Sequence, residues 1–276
     1  MTDATHALAF ARSPAIETRA LTRRFGDFVA VDAIDLNVAP GTFFGLLGSN
    51  GAGKSTTIKM LTTLLPPTSG NAKIAGFDVV RDARQVRRNI GYVPQLISAD
   101  SALTARENLT LFARLYGVSS GERSERIDEA LAFMGLSDVS NALVRTYSGG
   151  MIRRLEIAQA LLHRPPVVFL DEPTVGLDPT ARHSVWERLR ELRVRFGTTV
   201  LLTTHDMEEA EALCEVVTIM HRGRIVAAGT PAALKAKVGE GATMDDVFIK
   251  YTQGVIDEHG RYRDTAEARQ TTQRLG

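Results

Sequence analysis

The chain has 276 residues, 44% hydrophobic and 24% charged, within the ordinary range of globular proteins and with room for an ample core. Its formal net charge of +1 gives no whole-chain field that favours nucleic acid or anionic lipid. The one cysteine, Cys214, rules out an intramolecular disulfide, argues against a zinc cluster and fits a reducing cytosol.

Residues 1–15 (MTDATHALAFARSPA) show no sustained period and are expected to be a flexible N-terminus, without the basic-then-apolar pattern of a signal peptide. From Ile16 to about Gly41 short alternating stretches, including AVDAIDLNV at 30–38, predict strands. FFGLL at 43–47 reads as a buried strand running into GSNGAGKST and then a helix, TTIKMLTTLL. Between about 100 and 163 the pattern turns helical. Leu103, Leu109, Phe112 and Leu115 recur at near-helical spacing, as do Ile127, Ala130, Leu131 and Met134. A third helix follows YSGGM, with Met151, Leu155, Ala158 and Leu162 on one stripe. VVFL at 167–170, VLLTTH at 200–205 and EVVTIM at 215–220 are further buried strands, and HRGR at 221–224 is a turn into IVAAG, a hairpin. The sum is an α/β core, mostly parallel, interrupted by a helical insert. The longest apolar runs are far short of the ~20 residues of a membrane-spanning helix. The polar stretch from about 257 reads as a solvated helix or disorder.

Gly48-Ser49-Asn50-Gly51-Ala52-Gly53-Lys54-Ser55 matches the P-loop pattern between a strand and a helix. Glycines let backbone N–H groups close on phosphate oxygens, and the helix N-terminus adds a favourable dipole. Lys54 supplies a point charge for the outer phosphates of a nucleotide and Ser55 a hydroxyl ligand for Mg²⁺. Asp171 ends an apolar strand, where its carboxylate can reach Mg²⁺, and Glu172 follows at once. Strand alternation would send the two side chains to opposite sides, which leaves Glu172 free to act as general base toward a water. His205, at another strand end, and Gln95, in GYVPQ, would not be singled out by local chemistry, since such residues are commonly structural or merely exposed. YSGGM places Gly149 and Gly150 in the first turn of a helix, where each costs up to ~1 kcal/mol relative to alanine. Ser148 is a good N-cap, but Met151 stands where a reciprocal Glu or Gln is usual.

GSNGAGKS, YSGGM, VVFLDEP and LLTTH, in that order, resemble the ATP-binding cassette (ABC) family of ATPases over roughly residues 16–240. The resemblance implies a RecA-like P-loop core, an N-terminal antiparallel β subdomain, a helical subdomain over about 96–163 and a C-terminal extension from 241 to 276. It also assigns roles. Gly48 to Thr56 form the phosphate loop. Gln95 contacts Mg²⁺ and the attacking water, Asp171 associates with Mg²⁺, Glu172 is the base and His205 contacts the γ-phosphate. Phe25 takes the place of the aromatic, most often tyrosine, that stacks on adenine. Ser148, Gly149 and Gly150 meet the nucleotide of a second cassette, and Asp178 lies in the loop that crosses to it. YSGGM departs from the commoner LSGGQ at Tyr147 and Met151, so Met151 is expected to pack rather than hydrogen-bond. YSGGM followed by RRLEIA, and MDDVFI at 244–249, are similar to subunits of drug and antibiotic exporters of the daunorubicin-resistance type. The implied protein is an ATP-hydrolysing subunit at the cytoplasmic face of the membrane, working as a homodimer or with a paired cassette. An integral-membrane partner is implied and no nucleic acid. The alternatives are a soluble ABC ATPase acting on ribosomes or DNA, and a nucleotide-gated regulatory subunit without hydrolysis. The missing coiled-coil heptads argue against a chromosome-associated form of the first, and Glu172 with His205 against the second.

Overall fold

The computed structural model describes residues 13–253. The chain begins with an antiparallel pair, β1 (Ile16–Phe25) and β2 (Phe28–Val38), followed by β3 (Phe43–Leu47) and α1 (Lys54–Leu61). It continues through β4 (Ser69–Ile74), β5 (Phe77–Asp78), α2 (Ala83–Arg88) and β6 (Ile90–Val93). The helical insert holds α3 (Ala105–Leu115), α4 (Ser120–Phe133) and α5 (Gly149–Leu161). The chain then returns through β7 (Val167–Asp171), α6 (Pro179–Phe196), β8 (Thr199–Thr204), α7 (Met207–Leu213), β9 (Val216–His221) and β10 (Arg224–Gly229). Helices α8 (Pro231–Ala236) and α9 (Met244–Gln253) complete it.

Among the described residues the strands form two sheets, an antiparallel one ordered β2-β1-β4-β5 and a larger one ordered β10-β9-β3-β8-β7-β6. Every pairing in the larger sheet is parallel except β9 with β10. Its central strands are covered on both faces, which is why β3, β7 and β8 are uniformly buried and read as unbroken apolar runs. One apolar cluster fills the space toward α1 and the antiparallel sheet, and the other packs the helical insert, α6 and α7 on the opposite face. The parallel register pairs Leu47 with Thr204 and Asp171 with Thr203. The loops leaving β3, β7 and β8 therefore emerge side by side at the carboxyl edge, where open α/β sheets bind ligands. At the far edge Arg222 and Gly223 both have positive φ, the twisted two-residue turn that joins β9 to β10 as the expected hairpin.

Several expectations need correction. Ala15 is not loose: it is buried, donates its N–H to the Val38 carbonyl and accepts from Ala75 N, each at 2.8 Å. Residues 1–12 lie outside the described residues, as does the stretch from 257. The helix after the P-loop starts at Lys54 and stops at Leu61, with Thr63 at positive φ. Leu103 precedes α3, which Thr104 and Glu107 open with a capping box, and Leu115 is 72% exposed rather than part of the core stripe. Helix α5 carries no single stripe. Besides Leu155 and Ala158 it buries Arg153, Glu156, Ile157, Gln159 and Ala160, because α3, α4, α6 and β6 surround it. In the 241–276 extension, Met244 and Val247 of α9 are buried in the apolar cluster that holds the insert.

His163, just past α5, fastens the insert to the sheet. Its Nε2 lies 3.0 Å from the Ile90 carbonyl and its ring stacks on Tyr116 at 3.9 Å. Nδ1 is buried and has no hydrogen-bond partner among the described residues, so protonation would strand a donor. Burial holds the imidazole down from 6.5 to about 4. Between those values the unfolded chain binds the proton and the folded one does not, so this stability is present above 6.5 and is lost as pH falls toward 4. Unfolding titrations at about pH 7.5 and about pH 5 should show wild type losing ~2 kcal/mol more than His163→Phe over that interval. Equal losses in the two proteins would contradict the assignment.

Candidate nucleotide site

The phosphate loop leaves β3 at Gly48, whose N–H donates to the Thr204 carbonyl at 3.2 Å. Gly53 caps α1 at φ 108, and a Cβ there would lie 2.5 Å from the Ala30 carbonyl oxygen, so only glycine fits. No side chain caps α1 and its first turn holds no acid, which leaves its leading N–H groups free for an anion. Lys54 is buried, with Nζ 2.7 Å from the Gly48 carbonyl and 3.3 Å from that of Ser49. It also forms an ion pair of 3.1 Å with Glu172, both side chains nearly free of solvent contact.

The two carboxylates do not point to opposite sides. Glu172 has φ 48, a left-handed backbone outside β7, and this breaks the strand alternation. Its N–H donates to both the carbonyl and the hydroxyl of Thr203, at 3.1 and 3.0 Å. Glu172 consequently reaches Lys54 through Oε1, while its Oε2 lies 3.1 Å from His205 Nδ1. Asp171 Oδ1 accepts from Ser55 Oγ at 3.1 Å and from Thr203 Oγ1 at 2.6 Å. Lys54, Ser55, Asp171, Glu172 and His205 thus form one connected set, with Thr203 as the brace that sequence reasoning missed. Tyr92 lies close enough to feel Asp171, and burial together with that charge pushes its phenol up to about 12.

Ser55 and Asp171 offer Mg²⁺ a hydroxyl and a carboxylate, the oxygen donors it prefers, with other positions left to water and phosphate oxygens. Among the described residues no group of three or more His, Cys, Asp or Glu could hold a metal by itself. Gln95 is exposed, and its side chain makes no hydrogen bond among the described residues. Its carbonyl accepts from Arg153 Nη2 at 3.0 Å. Phe25, at the end of β1, is 47% exposed and carries the Arg23 guanidinium 4.6 Å from its ring centroid.

Ser148 caps α5, accepting from Met151 N at 3.3 Å, and Ser148 and Gly149 are exposed. Among the described residues no hydrogen bond joins Ser148 to the phosphate loop of its own chain. Gly150 has a packing reason to lack a side chain, since a Cβ there would come within 2.7 Å of the Ala181 Cβ on α6. Met151 is half-buried against the apolar cluster and Tyr147 donates its hydroxyl to the Val139 carbonyl at 2.6 Å. Asp178 caps α6 by accepting from Ala181 N at 3.0 Å. Just upstream, Thr174 donates to the buried Glu209 of α7 at 2.7 Å and Trp186 to the same oxygen at 3.1 Å. Burial pushes the Glu209 carboxyl up, opposed by these hydrogen bonds.

The family model described as ABC transporter matches residues 31–175. The chain is 47% identical to the daunorubicin/doxorubicin resistance ATP-binding protein DrrA of Streptomyces peucetius, over 82% of this chain and 68% of that protein. It is 46% identical to the Nod factor export ATP-binding protein I of Cupriavidus metallidurans, over 79% of this chain and 72% of that one. Among solved structures, a dimeric ATP-binding cassette in a post-hydrolysis state bound to ADP and Pi superposes with a TM-score of 0.69 at 28% identity, covering 78% of this chain and 98% of that one. No helix among the described residues is long and apolar enough to cross a membrane. A phosphate loop joined through Lys54 and Ser55 to two carboxylates, on this sheet and with these relatives, has one reading: the chain belongs to the ABC transporter family and is one of its ATP-hydrolysing, ATP-binding subunits.

Proposed function

We propose that the chain works as a head-to-tail dimer at the cytoplasmic face of the membrane, with itself or with a paired cassette, and drives export through a separate integral-membrane subunit. The carrying observation is the end of α5: Ser148 and Gly149 face solvent, and among the described residues no hydrogen bond joins Ser148 to the connected set of Lys54, Ser55, Asp171, Glu172 and His205. In the dimer that end meets the γ-phosphate held by the partner's loop, and Asp178 lies where the chains cross. Adenine stacks on Phe25, which offers an exposed ring face. Lys54 binds the outer phosphates. Ser55 and Asp171 would hold Mg²⁺, which would supply positive charge to offset that of the phosphates. Glu172 accepts the proton of the attacking water, His205 steadies Glu172 and the γ-phosphate, and Gln95 orients the water beside the metal.

Export, and a hydrophobic or drug-like cargo, is favoured by the functions that the relatives' names carry, drug resistance in one and export in the other. The cargo path belongs to the membrane subunit. The test is to isolate the membrane protein that co-purifies with the chain and reconstitute both in vesicles with the cassettes outward. ATP should then drive an amphipathic dye into the lumen. ATP-driven movement of dye out of preloaded vesicles would contradict export.

A further inference from the structure

Arg153 and Glu156 sit three residues apart on α5 and form an ion pair of 3.0 Å, with side chains 6% and 1% exposed. Charges so buried are costly unless their remaining donors and lone pairs are matched. Here the loop after β6 supplies several of the matches, while Glu156 Oε2 has the ion pair with Arg153 and no hydrogen bond among the described residues. Arg153 donates from Nη1 to the Pro94 carbonyl at 2.8 Å and from Nη2 to the Gln95 carbonyl at 3.0 Å. Glu156 Oε1 accepts from the backbone N–H of Ser98 at 2.5 Å and from its hydroxyl at 3.0 Å. The pair therefore grips the loop on both sides of Leu96 and Ile97, which point outward with 81% and 62% exposure. The loop cannot leave α5 without stranding two buried charges. Burial pulls the Arg153 guanidinium below its ordinary value, while the charges of Glu156, Asp171 and Glu209 act the other way, so the guanidinium lies within electrostatic reach of Asp171.

We propose that Arg153 and Glu156 are positioning residues that lock the Gln95 loop to α5, so that Gln95 takes its place at the metal only when the Ser148 end of the same helix is docked. The distance is short: five residues of helix separate Ser148 from Arg153, a rise of ~7.5 Å, and a helix that short moves as a rod. Binding of the phosphates falls to Lys54 and the loop backbone, to which neither residue bonds. This inference rests on the proposed role of Gln95.

The experiment compares Arg153→Lys, Glu156→Gln and Gln95→Ala with wild type. Arg153→Lys keeps the charge but not the fork that holds two carbonyls, and Glu156→Gln keeps an acceptor for Ser98 without the charge. For each protein the Mg²⁺ dependence of ATP turnover, the affinity for a fluorescent ATP analogue in EDTA, and Tm are measured. Both pair variants should need ~10-fold or more Mg²⁺ for half-maximal turnover, as loss of a partner behind a metal site typically does. Their EDTA affinity for nucleotide should stay within ~2-fold of wild type, less than half of one tenfold step in a binding constant. Arg153→Lys added to Gln95→Ala should do no further harm, because both act through one group. If Gln95→Ala raises the Mg²⁺ requirement and both pair variants lower only Tm, the inference fails while the role of Gln95 stands. If Gln95→Ala leaves that requirement unchanged, the role of Gln95 fails and takes the inference with it.

Discussion

Glu172→Gln should lower steady-state ATP turnover by ~10²-fold or more, the scale of a lost general base, while ATP binding survives within a few-fold. The substitution keeps the shape of the side chain and an acceptor toward Lys54, now 3.1 Å from Glu172 Oε1, but removes its basicity. The neighbouring interactions separate this effect from simple unfolding. Lys54 keeps the carbonyls of Gly48 and Ser49, while its buried charge loses the carboxylate opposite. The variant should therefore melt at lower temperature than wild type without nucleotide and regain the loss when phosphate charge takes the vacated role. With hydrolysis blocked, a nucleotide-held dimer should accumulate, visible by light scattering. Turnover at the wild-type rate would remove Glu172 from the base role.

Ser148→Arg should abolish turnover to a similar degree, with ATP still binding to each isolated subunit. Ser148 caps α5 through a single bond to Met151 N and is exposed, so the folding cost is that of one N-cap, ~1 kcal/mol. Catalysis suffers far more. A guanidinium with its long stem would fill the surface that must approach a phosphate on another chain, and removing even one donor from such a site commonly costs ~10²–10³ in rate. Equilibrium binding of a fluorescent nucleotide to dilute protein separates the two effects. Loss of binding in the monomer would mean that Ser148 serves its own phosphate loop.

Strands β3, β7 and β8 are legible because burial on both faces writes them as unbroken apolar runs, and the P-loop is legible because its glycines, lysine and serine have few other uses together. Helix α6 also carries its marks, Asp178 as cap, Pro179 in the first turn and Gly197 at a left-handed C-terminus, but its many charges mask the buried Val185, Trp186, Leu189 and Leu192. What sequence patterning hides is conformation and pairing. The left-handed backbone of Glu172 reverses the expectation from strand alternation, and residue type does not announce it. Thr203 reads as an ordinary strand former, yet it braces both carboxylates. Arg153 and Glu156 lie off the stripe expected for α5, and their burial depends on a loop more than fifty residues away in the chain. The glycines of YSGGM serve two ends, since Gly149 stays open to solvent while Gly150 admits Ala181 of α6.

The sharing of one nucleotide between two chains is most directly tested by trapping in mixed dimers. Two proteins are prepared in the Glu172→Gln background, one also carrying Ser148→Arg and the other Lys54→Ala, with different affinity tags. Alone, each should form no stable dimer with ATP, because every interface would lack one element. Mixed, they place the intact phosphate loop of one chain opposite the intact Ser148 end of the other, and the doubly tagged dimer should retain one ATP. A doubly tagged fraction that holds no ATP, under conditions where Glu172→Gln alone holds it, would contradict the shared site.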